Sequence, residues 1–191
     1  MIELVRAGAV PLAALTAWQA LFDLAGLTSG QTVLIHAAAG GVGHLAVQFA
    51  KWKGARIIGT ASAGNRSFVE ELGADEVIDY TKTAFESVVR NVDVVLDTIG
   101  GKVRERSWQV LRPEGILVAL VGSLSEGVPD GVRGVRHLVK PSGVQLAKVA
   151  ELIDAGHVRP FVEHILPLSA AAQAHAISEQ GHTRGKIVLR P

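Results

Sequence analysis

The pattern in this sequence with the clearest chemistry is Val33-Leu-Ile-His-Ala-Ala-Ala-Gly-Gly-Val-Gly43. A short apolar run enters a cluster of small residues and leaves it as a helix-like stretch. Ala38, Gly40 and Gly43 hold the spacing G-x-G-x-x-G, with alanine for the first glycine. Small residues there allow a tight turn, a close approach of backbone to ligand at Gly40, and close helix–strand packing at Gly43. The amides of the loop (Ala38, Ala39, Gly40, Gly41, Val42 and Gly43) and the dipole of the following helix would then grip a diphosphate. The competing reading is a glycine-rich turn that only permits close packing.

The next chemistry-bearing stretch is Ile58-Gly-Thr-Ala-Ser-Ala-Gly-Asn-Arg66. An acid about 20 residues after the glycines would bind a ribose 2′-hydroxyl and select NAD. No acid stands there. Thr60, Ser62, Asn65 and Arg66 do, and a guanidinium can pair a 2′-phosphate bidentately. The expectation is NADP(H), unless Arg66 is simply a solvated residue at a helix start.

Other chemistries fail on spacing. Gly122-Ser-Leu-Ser-Glu-Gly127 lacks the first glycine of a nucleophile elbow, and Val103 and Ile187 follow Gly-Lys where a Walker loop needs Ser or Thr. There is no cysteine, so disulfides, thiolate metal sites and a cysteine nucleophile are excluded. The histidine pairs 157/164 and 175/182 fall across turns rather than at metal-ligand spacing. His36 ends a strand beside the glycine loop and is expected to be a hydrogen-bonded structural residue.

The elements that must position these residues alternate along the chain. A helical lead-in occupies 11–24. Strands are expected at 32–36, 55–60, 76–80, 92–97, 115–121 and 134–140. Helices are expected at 42–53, 66–72, 84–90, 102–111 and 144–155. A strand at 164–168, a helix at 170–180 and a strand at 186–190 close the chain. Short apolar strands joined by helices predict an α/β Rossmann fold: a doubly wound parallel sheet, order 3-2-1-4-5-6, with helices on both faces. The organisation expected is a lead-in (1–30), a dinucleotide-binding domain (31–160) and a C-terminal strand–helix–strand (161–191).

With 191 residues and 48% hydrophobic content, the chain suffices for about one domain. A net charge of +1 without a basic stripe argues against nucleic acid and anionic membranes as partners. The N-terminal residues do not resemble a signal peptide, and no apolar run approaches the roughly 20 residues of a bilayer span. Together with the missing cysteines this suggests a cytoplasmic location.

Several segments in order carry a family resemblance: Leu15-Thr-Ala-Trp-Gln-Ala-Leu21, the glycine loop, Leu72-Gly-Ala-Asp75, Val77-Ile-Asp-Tyr80, Asp93-Val-Val-Leu-Asp97 and Thr183-Arg-Gly-Lys-Ile-Val-Leu189. Together they resemble the quinone oxidoreductase branch of the medium-chain dehydrogenase/reductase superfamily. The resemblance implies hydride transfer from NADPH to a small-molecule quinone or enone, without zinc. It implies that Arg66 and Tyr80 contact the adenosine phosphate or ribose, and that Arg184 approaches the cofactor phosphates. It places the backbone of 97–100 (Asp97) and 121–123 (Val121, Gly122) beside the nicotinamide. Tyr80 could instead be a sheet-edge aromatic, and Asp97 a capping or turn residue. Relatives pair an edge strand near 135–140 into a homodimer. They also begin with a GroES-like domain of about 120 residues, which this sequence lacks. It would be supplied in cis or in trans.

Overall fold

A computed structural model describes residues 3–124 and 127–191. Short helix α1 (Leu4–Ala7) precedes α2 (Pro11–Trp18), which runs into a π-helical segment, Gln19–Leu24. Then follow β1 (Thr32–Ile35), α3 (Gly43–Lys53), β2 (Arg56–Ala61), α4 (Arg66–Glu71), β3 (Glu76–Asp79), the single turn α5 (Phe85–Val88) and β4 (Val92–Asp97). Next come α6 (Gly101–Ser107), β5 (Leu111–Ala119), β6 (Arg133–Arg136), α7 (Gly143–Asp154), β7 (Val162–Pro167), α8 (Ala171–Glu179) and β8 (Lys186–Arg190). The main sheet is wholly parallel in the order β3-β2-β1-β4-β5-β6, as the alternating pattern predicts.

Alternate strand residues feed two cores. Val33, Ile35, Ile57, Val94, Leu96 and Val118 pack under α2, α3, α4 and α7. Leu34, Ile58, Val95 and Leu117 face the other way, against Phe85, Val89 and Val110. Each fully buried Leu, Ile or Val side chain contributes about 1.5–3 kcal/mol. Two layers of such residues keep the strand ends, and hence the loops above them, in fixed register.

Boundaries differ from expectation in informative places. The strand expected at 115–121 begins earlier, at Leu111, with a register shift opposite Val92–Val94. The strand expected at 134–140 covers only Arg133–Arg136. Beyond it, Gln19 from the π-helical turn holds both backbone groups of Lys140: its Nε2 donates to the carbonyl at 2.7 Å and its Oε1 accepts the amide at 2.9 Å. The helix expected at 84–90 shrinks to one turn because Asn91 takes a left-handed φ of 55° and turns the chain into β4.

β7 and β8 form a separate two-stranded parallel sheet. Segment 159–161 is bound to α3: Gln48 Oε1 accepts the Arg159 amide at 2.7 Å, and its Nε2 donates to the Arg159 carbonyl at 3.1 Å. Among the described residues no helix is long and apolar enough to cross a membrane.

Candidate functional site

β1 and β4 are neighbours at the centre of the sheet, and their crossovers depart toward opposite edges. Such a switch point opens a crevice beyond the carboxyl ends of the strands. Ala37 leaves β1 with φ 47°, a left-handed conformation that alanine adopts only at a cost on the order of 1 kcal/mol. The strand beside it holds this bend: Ala37 N donates to Thr60 Oγ1 at 3.2 Å, and Ala38 N to the Thr60 carbonyl at 2.9 Å. The Gly40 amide closes the turn on the Ala37 carbonyl at 2.9 Å. At Gly43 a Cβ would run into that same carbonyl, so glycine is what lets α3 start this close to β1.

The residues expected to bind converge only in part. A cleft of about 330 Å³ lies above the strand ends. Ala39, Gly40, Thr60, Ser62, Asn65 and Tyr80 line it, as do Ala37, Thr83, Phe85, Ile99, Arg106, His182 and Thr183. Tyr80 is half exposed at its rim. Arg66 does not line the cleft; it pairs with Glu70 one helical turn on, at 3.5 Å, with both side chains half exposed. Arg184 lies across the same loop. Its Nε donates to Asn65 Oδ1 and its Nη2 to the Gly64 carbonyl, each at 2.7 Å, with the guanidinium 5.7 Å above the Phe68 ring.

Asp97 takes the turn role that the sequence left open. It is fully buried. Its Oδ1 accepts the Ile99 and Gly100 amides at 3.0 and 2.8 Å, and its Oδ2 accepts Arg104 Nε at 2.6 Å. Anything this segment presents to a ligand is therefore backbone or the half-exposed Ile99. Val121 and Gly122 form the exposed loop after β5.

Two buried histidines frame the glycine loop, and neither is poised for proton transfer at neutral pH. Burial lowers His36 to about 4, only partly opposed by Asp97. Ser107 Oγ spends its proton on the Val103 carbonyl, so His36 Nε2 donates to Ser107 Oγ at 2.9 Å and Nδ1 accepts from Thr60 Oγ1 at 3.2 Å. Burial likewise lowers His44 to about 4. Its Nδ1 donates to the Gly40 carbonyl at 2.8 Å and its Nε2 accepts the Phe161 amide at 3.2 Å. His44 thus fastens the glycine loop to the C-terminal segment.

Residues 181–186 form a wall that sequence reasoning recognised only at Arg184. Gly185 N donates to the Ala39 carbonyl at 2.8 Å. Lys186 packs its ammonium against Gly41, where burial lowers its pKa. Thr183 Oγ1, which is buried in the wall of the cleft, has no hydrogen-bond partner among the described residues. A buried hydroxyl left unpaired costs about 1–3 kcal/mol, and a ligand in the cleft would relieve it. The amides of a small-residue loop, an orphaned hydroxyl and the Arg184 guanidinium nearby make a chemically coherent set for a phosphorylated dinucleotide.

Residues 72–189 match the zinc-binding dehydrogenase family. The chain belongs to that family. Within it, the chain falls in the quinone oxidoreductase-like branch of the medium-chain dehydrogenase/reductase superfamily. It is 36% identical, over 97% of its own length and 62% of the relative's, to a probable zinc-binding oxidoreductase, mitochondrial, of Arthroderma benhamiae. It is 35% identical to the NADPH-dependent alkenal/one oxidoreductase, chloroplastic, of Arabidopsis thaliana, covering all of the chain and 48% of that protein. The solved quinone oxidoreductase of Coxiella burnetii superposes with a TM-score of 0.95 at 36% identity, covering the whole chain and 62% of that structure. The chain therefore spans about half to three-fifths of the length of these family members. Despite the family's name, the described residues do not fit a zinc ion: the sequence has no cysteine, and no three His, Asp or Glu converge among them.

Proposed function

We propose that this chain is the NADPH-binding part of a zinc-independent oxidoreductase that passes a hydride from NADPH to a quinone or to the activated C=C of an enone or enal. The observation that carries the proposal is the loop 38–43 at the switch point, beside a cleft whose described lining has no carboxylate and includes Asn65, the residue that Arg184 grips from outside the lining.

In this reading the amides of Ala39, Gly41, Val42 and Gly43 hold the diphosphate at the start of α3, while those of Ala38 and Gly40, expected to join them, are spent on the Thr60 and Ala37 carbonyls and shape the turn. Ser62, Asn65, Arg66, Tyr80 and Arg184 surround the adenosine ribose and its 2′-phosphate. Thr60 acts through His36 and Ala37, whose hydrogen bonds fix the loop. Backbone at 97–100 and 121–123 flanks the nicotinamide. NADPH, when bound, supplies the hydride. The protein contributes position and a dry, ordered wall. His36 stays neutral above about pH 4, and its one ring proton is committed to Ser107 Oγ.

A second reading concerns the isolated chain: cofactor binding without turnover. Ile165 and Leu168, at and just after β7, are 40% and 57% exposed. We take the β7–β8 unit (161–191) as the side that packs toward a GroES-like domain, in cis or in trans, which would complete the substrate pocket. β6 is paired on one side only, so its free edge is the proposed homodimer contact. A cysteine-free chain suits a reducing compartment; the cytoplasm is one, and the fungal relative is named as mitochondrial.

The test is NADPH consumption by the protein joined to its GroES-like partner domain, with a small quinone and an enal as acceptors. The proposal expects oxidation well above an enzyme-free blank with at least one acceptor, and none by the isolated chain. Rates equal to the blank with both acceptors would refute it.

A further inference from the structure

A second cavity, of about 450 Å³, is built from α8, the 181–185 segment, β8 and Gly41. Lys186 stands in it as a cation without a counter-ion. No Asp or Glu lines the cavity, and Lys186 Nζ has neither an ion-pair nor a hydrogen-bond partner among the described residues. The end of the side chain lies 2.8 Å from where a Gly41 Cβ would be, so the glycine is what admits it. Burial with no paired anion favours the neutral amine and lowers its pKa.

An amine in that setting is a nucleophile. Lysine is inert while hydrated and protonated, and desolvation frees its lone pair. The other lysines, Lys51, Lys53, Lys82, Lys102, Lys140 and Lys148, are all exposed. The sequence has no cysteine, so no thiol competes for an electrophile. The walls of the cavity suit one kind of electrophile. Ala174, Ile187 and Leu189 offer apolar surface to a short carbon chain. Thr183 lines this cavity too, and its buried Oγ1, without a partner among the described residues, is free to donate to a carbonyl oxygen.

We propose that Lys186 is a covalent capture site for conjugated aldehydes, and that the adduct closes the glycine loop to a dinucleotide. Nζ bonds to the β-carbon of the enal, the C=C π pair moves to the α-carbon, and that carbon takes the proton the nitrogen releases. The product is a secondary amine carrying a free aldehyde, with no net oxidation or reduction. The added carbon chain stands against Gly41, whose amide is one of those assigned to the diphosphate. An acceptor of the class proposed above would thereby shut the chain when the cofactor is absent. The capture stands on the cavity by itself; its effect on cofactor binding rests on the NADPH reading.

The test treats the chain with a sub-stoichiometric amount of crotonaldehyde, fixes the adducts with borohydride and locates them by peptide mass spectrometry. Lys186 should be modified several-fold faster than any exposed lysine and than any histidine. Lys186→Arg should remove the fast adduct, and Lys148→Arg, on exposed α7 surface, should leave it. Wild type modified at Lys186 should bind NADPH at least about tenfold more weakly, while Lys186→Arg should keep its own affinity after the same exposure. Adducts spread over the exposed lysines, or gathered on His175 in the same cavity, would overturn the capture site. That result is read on the wild type and so does not depend on how a variant folds. An unchanged NADPH affinity with Lys186 fully modified would overturn the closing of the loop. A Lys186 adduct on a chain that binds no dinucleotide even when untreated would uphold the capture and remove only the NADPH reading.

Discussion

Arg184 reaches across 119 positions of chain to set its Nε 2.7 Å from Asn65 Oδ1, joining the C-terminal segment to the loop that ends β2. That contact puts a second guanidinium where the sequence pointed to Arg66, which is paired with Glu70 in solvent. Arg184→Met should weaken NADPH binding at least about tenfold, or about 1.4 kcal/mol, and NADH binding much less. Arg66→Asp should also act selectively against NADPH, because a carboxylate there repels a 2′-phosphate. Calorimetric titration of both variants with both dinucleotides gives the comparison. Equal losses for NADPH and NADH would clear the residue concerned of a 2′-phosphate role.

The close packing at the first strand–helix junction makes a stability prediction. A Cβ at Gly43 meets the Ala37 carbonyl and the Ala38 backbone, neither of which can rotate away. Gly43→Ala should cost on the order of 1–3 kcal/mol, as overpacking does. Gly64→Ala is the control, since a Cβ there meets nothing within 4 Å and its φ is not left-handed. Urea unfolding should separate the two; equal midpoints would mean that the junction is looser than its geometry.

Acid should destabilise the fold through two histidines. His36 and His44 fall from 6.5 to about 4 on burial, so between those values the unfolded chain binds more protons than the folded one. Stability then rises with pH through that window and is lost as pH falls from about 6.5 toward 4. At pH 5 each histidine should cost on the order of 2 kcal/mol relative to pH 7.5. His44→Gln should flatten the profile. A wild-type unfolding free energy that is level from pH 7.5 to 5 would contradict the neutral, buried assignment.

The free edge of β6 predicts self-association. Arg133–Arg136 pairs with β5 alone, and an open parallel edge is a template for a second copy. Light scattering should report a dimer, and a proline at Arg136, whose amide alternates with that of His137 and so faces the open edge, should shift it to monomer. A monomer at high concentration would count against the proposed contact.

The sheet order and the glycine loop were legible in the sequence because both are local: strands announce themselves by apolar runs, and the fingerprint sits within one strand–turn–helix. The cleft's other wall was not. Thr183 and His182 line the cleft with Ala39 and Gly40 because Gly185 N donates to the Ala39 carbonyl, a bond between segments some 145 residues apart. Arg106 and Phe85 line the same cleft through a cation–π contact of 5.3 Å that no spacing encodes. Asp97 was visible as a turn residue or a ligand contact, and only the buried partner Arg104 decides between them. The ends of α5 and β6 were misjudged because they depend on Asn91's left-handed turn and on Gln19's hold on Lys140.

The most direct measurement is a titration of the wild-type chain with NADPH and NADH at fixed, moderate salt. Saturable NADPH binding, at least about tenfold tighter than NADH, is the expected result. No saturable binding of either dinucleotide, or a tenfold preference for NADH, would contradict the assignment of the loop and its cationic neighbour.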